Sequence, residues 1–157
     1  MQIPRIEQVL KKCEKHLSST SMFGTEIENL LTQTILVIMC SEFEQKIKTI
    51  TEEKCSPITD KSLRDLCVGT VFRGVKSSGI ADLLNCFGVD YKERFKQKSM
   101  ENKDNEVAVT YYNNIVVNRH GVAHSSGTIM TFKEAKEFYE KGHVVLDFFR
   151  DALLISH

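Results

Sequence analysis

The sequence has no net charge: 21 lysines and arginines face 21 aspartates and glutamates. A polyanion therefore meets no global attractive field, and any nucleic-acid contact has to rest on a local patch. The five cysteines, at 13, 40, 55, 67 and 86, are odd in number and include no C-x-x-C pair. That argues against a disulfide framework or a zinc knuckle and reads as reduced thiols in or near the core. There is no long apolar run. The longest, Ile35 to Cys40, falls far short of the ~20 residues that a bilayer helix needs. The first dozen residues carry Arg5, Glu7, Lys11 and Lys12 and no apolar segment, which argues against a secretory signal and sets the expectation of a cytoplasmic protein without membrane contact. G-x-S-x-G, the P-loop and the dinucleotide fingerprint are all missing. So are internal repeats, heptad arrays and low-complexity tracts.

What is present is helical periodicity over a length of 157 residues that suits a single domain. Ile6, Val9, Leu10, Cys13 and Leu17 predict a first helix from about residue 4 to 17, with Pro4 tolerated in its first turn. Thr25 and Glu28 have the spacing of a capping box. Behind them Ile27, Leu30, Leu31, Ile35, Ile38, Met39, Phe43, Ile47 and Ile50 predict one long helix to about residue 51. Leu63, Leu66, Cys67, Thr70 and Val71 mark a third helix ending near Gly74 or Ser77. Short helices follow, one from Ser78 closed by Gly88, another with Asp90 as cap. Asn105 to Arg119 or beyond forms the next long helix. Thr131 with Glu134 is a second capping box, and it opens a last helix bearing Phe132, Ala135, Phe138, Gly142, Val145, Leu146, Phe149, Ala152 and Leu153. The expectation is an all-α bundle of four to five main helices plus short ones, spanning 1–157 as one domain.

The chemistry concentrates between residues 111 and 127, where a helical run delivers Asn113, Asn114, Asn118, Arg119, His120 and His124 and then stops at Ser125-Ser126-Gly127. Arginine is permanently charged and forked to grip two phosphate oxygens, and histidine exchanges protons near neutral pH. Arg119 and His124 can therefore act on a phosphodiester without a metal or cofactor. They can equally form a non-catalytic phosphate site or serve as structural polar residues. His120 and His124 have a zinc-compatible spacing but lack the glutamate of H-E-x-x-H, and a third ligand would have to come from His143. Lys92, Arg94, Lys96, Lys98 and Lys103 make 92–104 locally basic, either as a solvated segment or as an RNA-binding strip. Tyr111 and Tyr112 can stack on bases, although helical spacing places one of them in the core.

Arg119 and His124, with four residues between, resemble the R-x4-6-H motif of the HEPN superfamily, all-helical domains that include metal-independent endoribonucleases. The tyrosine-asparagine lead-in at 111–114, the Ala123-His124-Ser125 turn, the restart at Thr131-Phe132 and the helix ending at Val144 to Phe149 are similar to the RiboL-PSP type. The resemblance extends to 36–48 and 78–88. It implies an endoribonuclease with Arg119 and His124 as catalytic residues and Asn118, His120, Asn114 and Ser125 in support. It also implies a toxin or phage-defence role, with RNA as substrate and a nucleotidyltransferase antitoxin as a partner some relatives have. Some HEPN domains carry an E-x3-K element near the site; here Glu42 and Lys46 fit it, or else form a solvated ion pair. Five residues turn an ideal helix through about 500°, leaving Arg119 and His124 about 140° apart. Either the helix bends near Gly121, or a homodimer pairs two motif helices into a composite site, as HEPN nucleases do. The alternative is a HEPN module that binds a nucleotide or docks a partner without catalysis.

Overall fold

The computed structural model describes residues 2–71, 75–123 and 130–155, with Leu66, Cys67, Thr70, Val71 and Ala123 described by their backbone alone. The described residues form eight α-helices and no strand: α1 (Pro4–Thr20), α2 (Glu26–Cys55), α3 (Lys61–Val71), α4 (Ser77–Phe87), α5 (Val89–Ser99), α6 (Lys103–Ala123), α7 (Phe132–Gly142) and α8 (Val145–Leu154). No helix among them is long and apolar enough to cross a membrane.

The bundle is built around α2, which packs against α1, α3, α6, α7 and α8. Ile35, Leu36, Met39, Cys40, Phe43, Ile47 and Ile50 recur at three- and four-residue steps and are all buried. At about 1.5–3 kcal/mol for each fully buried large side chain, this stripe overrides the strand propensity of its β-branched residues. The expected stripe was too long at its N-terminal end. Ile27 and Leu30 are 40% and 55% exposed, while Glu28 and Thr32 in the same turns are buried, so a different face of α2 is covered there.

Two sequence expectations about helix ends meet different outcomes. The Thr131/Glu134 capping box forms in full, with Thr131 Oγ1 accepting from the Glu134 N–H and the Glu134 carboxylate accepting from the Thr131 N–H. The Thr25/Glu28 box does not. Thr25 Oγ1 donates to the Met22 carbonyl, and Glu28, only 8% exposed, accepts from the N–H groups of Gly24 at 2.6 Å and Phe132 at 3.0 Å. A carboxylate expected to close a local turn thus staples the start of α2 to the start of α7. Asp90 lies inside α5, whose N-cap is Gly88 at φ +142°, a conformation that a side chain would strain. The last helix is also interrupted. It turns at His143 and Val144, so that α8 can reach α2 and α5 while α7 lies along α6.

The α6–α7 contact is the tightest in the fold. A Cβ on Gly142 would stand 2.7 Å from the Tyr112 nitrogen and 3.0 Å from its Cα. Tyr111 packs on Phe138 with ring centroids 4.8 Å apart, and Tyr112, wholly buried, stacks on Phe43 at 5.0 Å. Only glycine lets the two helix backbones approach so closely. That approach fixes the rotation of the helix carrying Arg119.

Candidate functional site

Asn102 caps α6, its side-chain oxygen accepting from the Asn105 N–H at 2.9 Å, and Asp104 and Glu106 in the first turn complement the helix dipole. Once α6 is pinned to α7 at Gly142, its faces are set. Tyr112, Ile115 and Val116 point into the core. Asn113 binds α4 through both halves of its amide, accepting from the Ser77 N–H at 3.0 Å and donating to Ser77 Oγ at 2.8 Å. Seven residues beyond Tyr112, two turns on, Arg119 leaves α6 on nearly the same side, facing α2.

Arg119 is half-buried and makes no hydrogen bond or ion pair with the described residues. Its charge is felt at the Cys40 thiol on α2. Burial pushes that thiol up to about 12, the Arg119 charge pulls it down in part, and Glu44, one turn along α2, pushes it up. The Tyr112 hydroxyl shares one of these neighbours: burial raises it well above the usual phenol range, followed by Cys40 and Glu44. It is buried without a hydrogen-bond partner among the described residues. Arg119, Cys40, Glu44 and Tyr112 therefore share one neighbourhood between α2 and α6.

The other sequence-selected residues fall as follows. Asn118 is half-buried and donates to the Asn114 carbonyl at 2.9 Å, so part of its amide is spent on its own helix; Asn114 is also half-buried. His120 is exposed. His124 and Ser125 lie outside the described residues. Helix α6 stays helical through Gly121 to Ala123, and the expected approach of His124 to Arg119 lies outside the described residues.

Glu42 and Lys46 do not pair. Glu42 Oε1 instead accepts from Arg5 Nη1 at 2.7 Å, its side chain 17% exposed, and Lys46 is half-buried. Glu42 sits about 200° round α2 from Cys40, on the side facing α1, which is why it meets Arg5 and not Arg119. The residues that sequence reasoning missed are Glu44 and Lys48, which have the same E-x3-K spacing two positions later. The signal was available: Cys40 and Phe43 belong to the buried stripe, and Glu44 follows Cys40 by one turn, next to the face that α6 covers.

The chain's remaining candidates are engaged elsewhere. His143 Nδ1 lies 2.9 Å from the Tyr139 carbonyl and its ring stacks on Tyr139. Among the described residues no group of three histidine, cysteine or carboxylate side chains could hold a metal. In the basic segment, Lys92, Lys96 and Lys98 pair with Asp82, Glu93 and Glu101, and Arg94 donates to the Ile155 carbonyl.

A family model described as RiboL-PSP-HEPN matches residues 2–154. The chain belongs to that family. RiboL-PSP-HEPN membership agrees with the all-helical architecture, and HEPN domains are nuclease or nucleotide-binding modules. No curated protein and no solved structure matches the chain.

Proposed function

We propose that this HEPN domain is a metal-independent endoribonuclease acting through Arg119 and His124. The observation that carries the reading is the state of Arg119. A half-buried guanidinium held on the core side of a tightly fixed helix, with no carboxylate bound to it among the described residues, is free to take an anion. Buried cations are ordinarily paired, and the natural partner here is a phosphate.

The chemistry follows from the residue types. His124 takes the proton of an RNA 2′-hydroxyl, whose oxygen forms a bond to the adjacent phosphorus. The bond from phosphorus to the 5′-oxygen breaks, and the partner subunit's His124, as imidazolium, supplies that oxygen with its proton. Arg119 holds the phosphate while negative charge grows on it. The products are a 2′,3′-cyclic phosphate and a 5′-hydroxyl, and DNA is inert for want of the 2′-hydroxyl. Two copies supply the base and the acid together. The biological setting we assign is a toxin or phage-defence effector, held in check by a nucleotidyltransferase antitoxin.

The test is cleavage of a labelled mixed-sequence RNA in excess EDTA by wild type, Arg119→Ala and His124→Ala, with the dimer followed by sedimentation. The expected result is cyclic-phosphate ends from wild type and a loss of at least about a hundredfold in each variant. No cutting between pH 5 and 9 by folded dimer would reject the nuclease and leave a nucleotide-binding or docking module.

A further inference from the structure

Between α2, α3 and α4 lies a cleft of about 330 Å³, within the ordinary size range of small-molecule sites. Its apolar surface comes from Val68 and Leu83, its polar wall from Ser41, Glu44, Gln45 and Lys48 on successive turns of α2. The wall is uncommitted among the described residues. Ser41, Glu44 and Gln45 make no hydrogen bond or ion pair through their side chains with the described residues, whereas Glu42, in the same turn, is locked to Arg5. Among the described residues Lys48 is held only by Glu52 at 3.9 Å, on the rim. Glu44 links the cleft to the candidate site, since its charge reaches the same Cys40 thiol as that of Arg119.

The charge of the wall selects the ligand. A phosphate is disfavoured beside the Glu44 carboxylate, so the cleft suits a neutral group that offers donors to a carboxylate and lays a flat apolar face on Val68 and Leu83. Nucleobases have such faces, and their edges differ. A carboxylate accepts two parallel N–H bonds, and only guanine presents two adjacent N–H donors, N1–H and N2–H, on its Watson–Crick edge. Its O6 then lies beside them, where the Gln45 amide or the Lys48 ammonium can donate. Adenine, cytosine and uracil each place an acceptor against at least one of the carboxylate oxygens.

We propose that this cleft is a guanine-reading subsite in which Glu44 accepts from N1–H and N2–H and Gln45 or Lys48 donates to O6. As a specificity site it rests on the ribonuclease reading: the base it holds is next to the phosphate gripped by Arg119, and the enzyme cuts beside guanosine. As a binding site it stands without cleavage.

Two measurements keep these apart. The first is equilibrium binding of GMP and of IMP, which differ only by the N2 amino group, to the intact chain by titration of its backbone NMR signals. GMP binds at least about tenfold more tightly than IMP, with the shifts gathered on α2 around residues 41–48. Glu44→Gln, nearly isosteric and on the helix surface, removes the difference, as does Glu44→Ala. Equal affinities, binding of neither nucleotide at millimolar concentration, or a preference that survives both variants overturns the subsite. The second is cleavage of matched RNAs with guanosine or inosine at one position. Cutting without base preference overturns the specificity role and leaves the ribonuclease standing. GMP selectivity without any cutting rejects the ribonuclease and leaves the subsite.

Discussion

Replacing Gly142 by alanine probes the contact that orients the motif helix. The new methyl would meet backbone, not a side chain that can swing away. Its distances are 2.7 Å to the Tyr112 nitrogen, 3.0 Å to the Tyr112 Cα and 3.2 Å to the Tyr111 carbonyl carbon, all inside the 3.4 Å where ordinary contact begins. Relief requires α7 to move off α6 by several tenths of an ångström, loosening the packing of Tyr111 on Phe138 and of Tyr112 in the core. Overpacking of this kind costs about 1–3 kcal/mol, and an immovable neighbour puts it at the upper end. Alanine returns up to about 1 kcal/mol of helix propensity, so the net loss is about 2 kcal/mol. Urea unfolding followed by circular dichroism should show the midpoint falling by about 1 M at a slope of about 2 kcal/mol/M. Thermal midpoints should fall by roughly 4–8 °C. An unchanged or raised midpoint would refute the close-approach argument, and with it the rotation assigned to Arg119.

Glu28→Ala leaves the buried N–H of Phe132 unpaired and the part-buried N–H of Gly24 to water and should cost about 1–3 kcal/mol in the same assay; a loss under 0.5 kcal/mol would mean water replaces the carboxylate readily. Tyr112→Phe removes a buried hydroxyl that has no partner among the described residues and should stabilise the fold by about 1 kcal/mol, read as a higher thermal midpoint. With its thiol pushed up to about 12, Cys40 should stay unalkylated by iodoacetamide at pH 8 while exposed Cys86 reacts, as mass mapping of the native protein would reveal. The Thr131 N–H and hydroxyl hold Glu134 below the usual carboxylate range. The capping-box contribution is therefore whole above the unfolded value of about 4.3 and fades as pH falls through the lower folded one. Thr131→Ala should accordingly cost about 1 kcal/mol at pH 7 and less at pH 3; an equal loss at both would contradict the assignment.

Much of the fold was legible because helices advertise themselves locally. The buried stripe of α2, the Thr131/Glu134 box and the span of α6 follow from three- and four-residue spacing and from caps, which involve neighbours in the chain. The same locality misled at Glu28, where the capping-box spacing is satisfied but the buried carboxylate finds better donors at Gly24 and at Phe132, 104 residues away. It misled again at residues 143 and 144, where apolar periodicity runs on although the helix turns. Of the candidate site, Arg119 was singled out by motif spacing alone. That Glu44 and not Glu42 acts on Cys40 together with Arg119 did not follow from spacing, because the two glutamates are equivalent until a neighbour covers one face.

The chain by itself therefore determined the all-α class, the helices and most of their buried faces. Those depend on periodicity, capping and residue chemistry, all carried within a few turns. Tertiary structure alone decided which faces meet. Gly142 against Tyr112 turns Arg119 toward Cys40 and Glu44, Arg5 draws Glu42 away, and α3 and α4 close a cleft over Glu44. The physical reason is that a helix exposes several faces of similar composition, and only packing against distant elements selects the one that works.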